Sequence, residues 1–151
     1  MRKIITLFLA LLLVPTFATA LLNTQLQWSD NMNDHIMITE GDVAVFTVDV
    51  LSWDPPVYVY LTLKDENGNI KTTYLDELMQ DNTGFGLLSY SESFYITLDD
   101  YETYGDFEVN IQTQDSNGDA QQRYLTLTVV PPEEEIIVNA NAEPVRGEAP
   151  L

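Results

Sequence analysis

The stretch from Asp106 to Val130 constrains this chain most, because it declares a β-hairpin. Phe107, Val109 and Ile111 alternate with Glu108, Asn110 and Gln112. Asp115-Ser116-Asn117-Gly118-Asp119 then breaks the run, and Leu125, Leu127 and Val129 alternate with Thr126 and Thr128. Period-two patterning on both sides of a turn signal predicts two half-buried antiparallel strands. Asn117 and Gly118 are residue types that tolerate the positive φ angles of a type I′ turn. A lone hairpin is marginal in water, so its apolar face needs a second layer to cover it.

The rest of the chain offers that layer. Leu22, Thr24, Leu26 and Trp28 share one side of a first edge strand. After the polar break at 30–34, Ile36 and Ile38 form a short strand that turns through Glu40-Gly41-Asp42 into Val43–Val50, where Ala44, Phe46, Val48 and Val50 share a face. Pro55 and Pro56 stop pairing, since proline lacks the ladder donor. Val57, Val59, Leu61 and Leu63 then point one way and Tyr58, Tyr60, Thr62 and Lys64 the other. Asp65-Glu66-Asn67-Gly68-Asn69 repeats the turn signal, and Ile70–Leu75 is the return strand. Leu75, Leu78 and Met79 are spaced for one helical turn, which Gly84-Phe85-Gly86 would not continue. Phe94, Ile96 and Leu98 restore period two before a corner at 99–105. These segments predict an all-β, two-sheet antiparallel sandwich of about seven strands. Its expected core holds Phe46, Val48, Leu61, Phe94, Phe107, Val109, Leu125 and Leu127.

Three motifs mark the N-terminus for export: Arg2 and Lys3, the apolar run Ile4–Val14, and the small-x-small pattern Ala18-Thr19-Ala20. Residues 1–20 read as a signal peptide cleaved after Ala20; the alternative is an uncleaved anchor from Ile4 to Leu22. The formal charge is -18; removing Arg2 and Lys3 takes it to -20, from 4 basic and 24 acidic residues. Such a field repels nucleic acid and anionic membrane surfaces. Cysteine is absent, so no disulfide or thiolate zinc site exists.

Glu40-Gly41-Asp42, Tyr104-Gly105-Asp106-Phe107-Glu108-Val109-Asn110-Ile111, Asp115-Ser116-Asn117-Gly118 and Leu125-Thr126-Leu127-Thr128-Val129 together resemble the immunoglobulin-like modules of prokaryotic surface proteins, in particular the cadherin-like and polycystic-kidney-disease (PKD) types. The resemblance covers roughly residues 40–130 and implies a secreted or cell-surface module engaged in adhesion, spacing or presentation. On this reading residues 21–131 form the sandwich and 132–138 an acidic linker. Residues 139–151, ending in Gly147-Glu148-Ala149-Pro150-Leu151, resemble the opening of a second, truncated PKD domain. The implied partners are other extracellular domains or surface proteins, or a polysaccharide, with membrane contact only through the N-terminal segment.

Two loops space oxygen ligands at alternate positions: Asp65, Asn67 and Asn69, and Asp115, Asn117 and Asp119. That spacing lets a tight loop wrap a hard cation, so calcium is the one candidate ion and otherwise no cofactor is expected. Turn chemistry alone explains the same residues, because Asp and Asn hydrogen-bond their own backbone. Asp99, Asp100 and Glu102 are a further acidic cluster. No catalytic motif occurs, and His35 is the only histidine, so no enzymatic activity is expected. Tyr58 and Tyr60 on one strand face are the candidate ligand-binding residues. Trp28, Trp53, Tyr95, Tyr101 and Tyr104 offer further rings for stacking on sugars. The rival function is therefore a carbohydrate-binding accessory module of a secreted hydrolase.

Overall fold

A computed structural model describes residues 21–30 and 32–133. The expected signal peptide at 1–20, most of the linker at 132–138 and the second-domain start at 139–151 lie outside the described residues. Among the latter, no helix is long and apolar enough to cross a membrane.

Alternation dictates the layers. β1 (Leu22–Trp28), β3 (Ala44–Ser52) and β6 (Leu88–Ile96) form a three-stranded sheet in the order β1-β3-β6. The strands β2 (His35–Thr39), β4 (Val57–Asp65), β5 (Ile70–Met79), β7 (Gly105–Gln114) and β8 (Ala120–Val130) form a five-stranded sheet in the order β2-β8-β7-β4-β5. The result is an all-β, immunoglobulin-like sandwich. Every second residue of β3, β4, β7 and β8 faces inward, and seven of the eight expected core residues are buried; Phe94 is half-buried at the margin. Phe46 sits at the centre, stacked on Phe94 and edge-on to Trp28 and Tyr74, with centroids 5.5 to 6.1 Å apart.

Four local features differ from the sequence expectation. β2 pairs with β8 in parallel, Ile36 opposite Leu127, while the preceding β1 pairs with β3. The N-terminal stretch thus changes sheets at the polar break and closes both layers. The hairpin turn is not type I′: Asn117 has no positive φ, and only Gly118 does, at 88°. Asp115 N–H and O bond Asp119 O and Gly118 N–H respectively, as in a three-residue loop with a glycine bulge. The helical turn expected from Leu75, Leu78 and Met79 is strand, because a register shift opposite Leu61 and Thr62 inserts Tyr74 as an extra residue and disrupts period two. β6 begins at Leu88, six residues before Phe94.

The corner begins earlier than the sequence pattern implies: Leu98, expected in the strand, opens a single helical turn, α1 (Leu98–Tyr101), capped by Thr97 and Asp100. Its Tyr101 is fully buried, and the hydroxyl accepts from Gly41 N–H at 2.8 Å, tying the corner to the β2–β3 turn. On the β1 side, the Gln121 amide takes the place of a missing neighbour strand: its oxygen accepts from Thr24 N–H at 2.8 Å and its nitrogen donates to Leu22 O at 2.6 Å.

The Tyr101→Phe substitution is expected to cost about 1–2 kcal/mol, since it strands Gly41 N–H, whereas Phe46→Ala should cost about 3–5 kcal/mol by opening a cavity between the sheets. Urea unfolding measures both. Equal losses for the two would contradict this ranking.

Candidate functional site

The two cation-candidate loops stand at opposite ends of the sandwich. β4 and β7 pair antiparallel with Asp65 opposite Phe107 and Tyr58 opposite Gln114. At a rise of about 3.3 Å per residue, the Asp65 and Asp115 turns are more than 20 Å apart. They cannot form one site. Within each loop the first aspartate is used by its own backbone. Asp65 Oδ1 accepts from Asn67 N–H at 2.9 Å and Asn69 N–H at 2.8 Å, and Oδ2 accepts from the Asn69 amide at 2.9 Å. Those bonds, the Asn69 amide first, hold the Asp65 carboxyl below the usual carboxylate range. Asp115 Oδ1 accepts from Asn117 and Asp119 N–H, both at 3.0 Å, while its Oδ2 is buried without a partner. Among the described residues, no group of three or more His, Asp or Glu side chains is placed to hold a metal ion.

The acidic cluster at the corner is also committed locally. Asp100 Oδ2 accepts from Thr97 N–H at 2.7 Å and closes the turn of α1, and Glu102 pairs with Lys71 at 3.2 Å. His35 Nε2 lies 3.0 Å from Thr128 Oγ1 on the exposed face, and Thr128 in turn donates to Asp106 at 2.6 Å. The hydroxyl lies between the two titratable groups, so no nucleophile–base–acid order results.

The rings proposed for stacking divide. Trp28 and Tyr101 belong to the core, so neither is available to a ligand. Tyr95 lies on the outer side of β6 in the other sheet, Trp53 in the β3–β4 loop and Tyr104 at the opposite pole before β7. Tyr58 and Tyr60, in contrast, do lie together on the outer face of the five-stranded sheet. Register extends that face sideways. Asp76, Tyr60, Gln112 and Gln122 form one row across β5, β4, β7 and β8, and Thr62, Asn110 and Tyr124 form the next. Tyr124 is 61% exposed and was not singled out by sequence reasoning. The hairpin register was the available signal, since pairing Gln114 with Ala120 across the turn places Tyr124 opposite Asn110.

The row is knitted by polar contacts. Tyr58 OH donates to Asp76 Oδ1, and that bond, more than burial, raises the phenol above its ordinary pKa. The Gln122 amide donates to Asn110 Oδ1 at 3.4 Å and the Asn110 amide to Glu108 Oε1 at 3.0 Å. Beside them Tyr58, Gln112, Gln114 and Gln122 line an open depression of about 440 Å³. Shallow and open, it presents the Tyr58 ring and several amides to solvent.

No family model matches the chain, and no curated protein matches it. Solved structures show similarity in shape only. The CARDB domain of the PF1109 protein from Pyrococcus furiosus, solved in complex with di-metal ions, is 13% identical, with a TM-score of 0.46 over 75% of this chain and 96% of that one. CopC from Methylosinus trichosporium OB3b is 16% identical, with a TM-score of 0.38 over 74% and 97%. The Ig1 domain of mouse SynCAM 2 is 18% identical, with a TM-score of 0.30 over 65% and 92%. The strand pairing above, and not these likenesses, establishes the two-sheet architecture.

Acid should weaken the loops before it weakens the core. Asp81 accepts from Thr83 N–H and Oγ1, Gly84 N–H and Gly86 N–H at 2.7 to 3.1 Å, and these bonds, the Thr83 hydroxyl first, lower its pKa as they do for Asp65. Folded values below the unfolded value of about 3.9 mean that this stability is fully present above about pH 4 and lost as pH falls through the folded values. Urea midpoints measured from pH 6 to 2 should decline along this limb, and Asp81→Asn should flatten it while lowering the midpoint at pH 6. An unchanged limb in that variant would count against the assignment.

Proposed function

We propose that this chain is a non-catalytic, secreted or cell-surface module that spaces and presents its neighbours. The observation that supports the reading is where the chain begins and leaves the fold. β1 starts at the pole where Leu22 pairs with Ser52, and β8 ends at the opposite pole, where Val130 pairs with Thr39. A sandwich threaded in this way adds its whole length to a tandem array. The eleven residues of β8 alone span about 35 Å. Residues 139–151, which resemble a PKD opening, fit a following module beyond the linker.

The PKD-like, cadherin-like character of the chain, its export and its adhesive role belong to this proposal. So does the absence of a cofactor, for which the engagement of both candidate loops by their own backbone is the support. A carbohydrate-binding accessory module is the second reading. It is favoured by Tyr58 and Tyr60 sharing one solvent-facing surface with a row of amides.

Expressed with its own N-terminal segment, the protein should be recovered outside the cytosol with Leu21 as its first residue. An epitope placed after Glu133 should be accessible on intact cells or in the medium, and should lose reach when residues 22–130 are replaced by a short flexible linker. Unprocessed protein retained in the cytosol would defeat the reading. The melting temperature is expected to be the same in millimolar calcium and in chelator; a calcium-dependent rise would instead put an ion in the turn loops.

A further inference from the structure

The chain carries 24 acidic residues, yet the upper half of the five-stranded sheet's outer face, from Tyr58 and Ala120 down to Thr62 and Tyr124, displays one, Asp76. That carboxylate is already the acceptor for Tyr58 OH. Around it are two tyrosines on β4, a third on β8, and amide side chains between them. Tyr60 and Tyr124 stand two strands and one row apart, roughly 12 Å between backbones at ordinary sheet spacings. Gln112 and Asn110 occupy the strand between them, and Gln122 flanks Tyr124 on its own strand. Beneath the patch the Thr62 hydroxyl is buried and has no hydrogen-bond partner, and Asn110 beside it is 4% exposed.

We infer that this face binds an uncharged polysaccharide laid across the strands, with Tyr60 and Tyr124 stacking on sugar rings and Gln112 and Gln122 hydrogen-bonding the hydroxyls between them. The inference rests on the reading of the chain as a presenting module and assigns the class of ligand presented to it. Phenol rings offer flat apolar area with a polar tip. Each glutamine amide offers both donors and acceptors with no charge, which suits the mixed donor–acceptor rim of a neutral sugar. An anionic glycan would have to approach a molecule of net charge -18. A cationic ligand would meet a single carboxylate that is already bonded. The 440 Å³ depression at Tyr58, Gln112, Gln114 and Gln122 continues the same surface toward the upper pole, so a chain longer than two rings finds further contact there.

Native affinity electrophoresis of the full chain tests this with four probes in the gel: hydroxyethylcellulose, mixed-linkage β-glucan, glucomannan and polygalacturonate. At least one of the three neutral polymers should retard the protein, and polygalacturonate should not. The Tyr60→Ala and Tyr124→Ala variants should each weaken retardation tenfold or more. Tyr95→Ala, on the other sheet, should leave it unchanged, and circular dichroism should report an intact fold for all three. If a tyrosine variant fails to fold, the exposed pair Gln112→Ala plus Gln122→Ala gives the same reading, with an expected loss of at least threefold. Free migration in all three neutral gels overturns the inference, as does retardation untouched by the substitutions or stronger in polygalacturonate. None of these failures touches the spacing role, which depends on export and on reach between the poles.

Discussion

Burial of Phe46 between two sheets is the contact on which the rest depends. The chain has no cysteine, so no covalent link crosses the layers. Phe46 is fully enclosed, with Trp28 and Phe94 from its own sheet and Tyr74 from the facing one. A large buried side chain contributes about 1.5–3 kcal/mol by leaving water. Four interlocked rings add an orientation that aliphatic packing would not fix, because edge-to-face and offset contacts are preferred. The two margins of the sandwich are then finished by polar groups. Gln121 supplies the bonds that β1 lacks, and Tyr101 anchors the corner that delivers the chain from β6 to β7. Both are side chains bonding backbone across long sequence separations, and neither adds a strand.

That division explains what could be read from the amino-acid order. Inward alternation in β3, β4, β7 and β8 was legible because each strand buries one face, and period two survives wherever the ladder is regular. It failed in β5, where Tyr74 is inserted by a bulge and the spacing of Leu75, Leu78 and Met79 mimics a helix. The turn type was misread for a related reason. Asn-Gly permits positive φ at both residues, but the Asp115 carboxylate bonds two amides of the loop and favours a turn in which the glycine alone is left-handed. Trp28 and Tyr101 were misplaced on the surface because an aromatic residue looks the same in a list whichever way it faces. The partner of the Tyr101 hydroxyl lies 60 residues away in the chain.

The face proposed for binding was half legible. Tyr58 and Tyr60 share a strand, so period two alone puts them on one side. Tyr124, Gln112 and Gln122 join them only once three strands are aligned, and alignment is a property of turns and bulges more than of the strands themselves. The loops with metal-like spacing show the reverse case. Their pattern is conspicuous in one dimension, yet in three the first aspartate of each bonds its own turn, and the two turns are more than 20 Å apart by strand geometry.

The two free strands at the other margin bear on which surfaces remain for partners. β5 and β6 each pair on one side only, and an unpaired edge invites another strand. Glu77, in register with buried Val59, and Glu92, in register with buried Val48, occupy inward positions on these two edges. Tyr90 lies with them, its hydroxyl donating to Glu92 and its pKa raised first by burial and then by that bond and both carboxylates. A strand added at either edge would have to cover these charges, and desolvating a carboxylate without a cation is costly. The edges of β5 and β6 are therefore protected against pairing with a further strand. The upper half of the larger sheet's outer face has no such guard: among its side chains Asp76 alone is charged, and its rings and amides are already turned to solvent. In a molecule whose margins and general field both repel copies of itself, that face is the surface on which a partner loses least by binding.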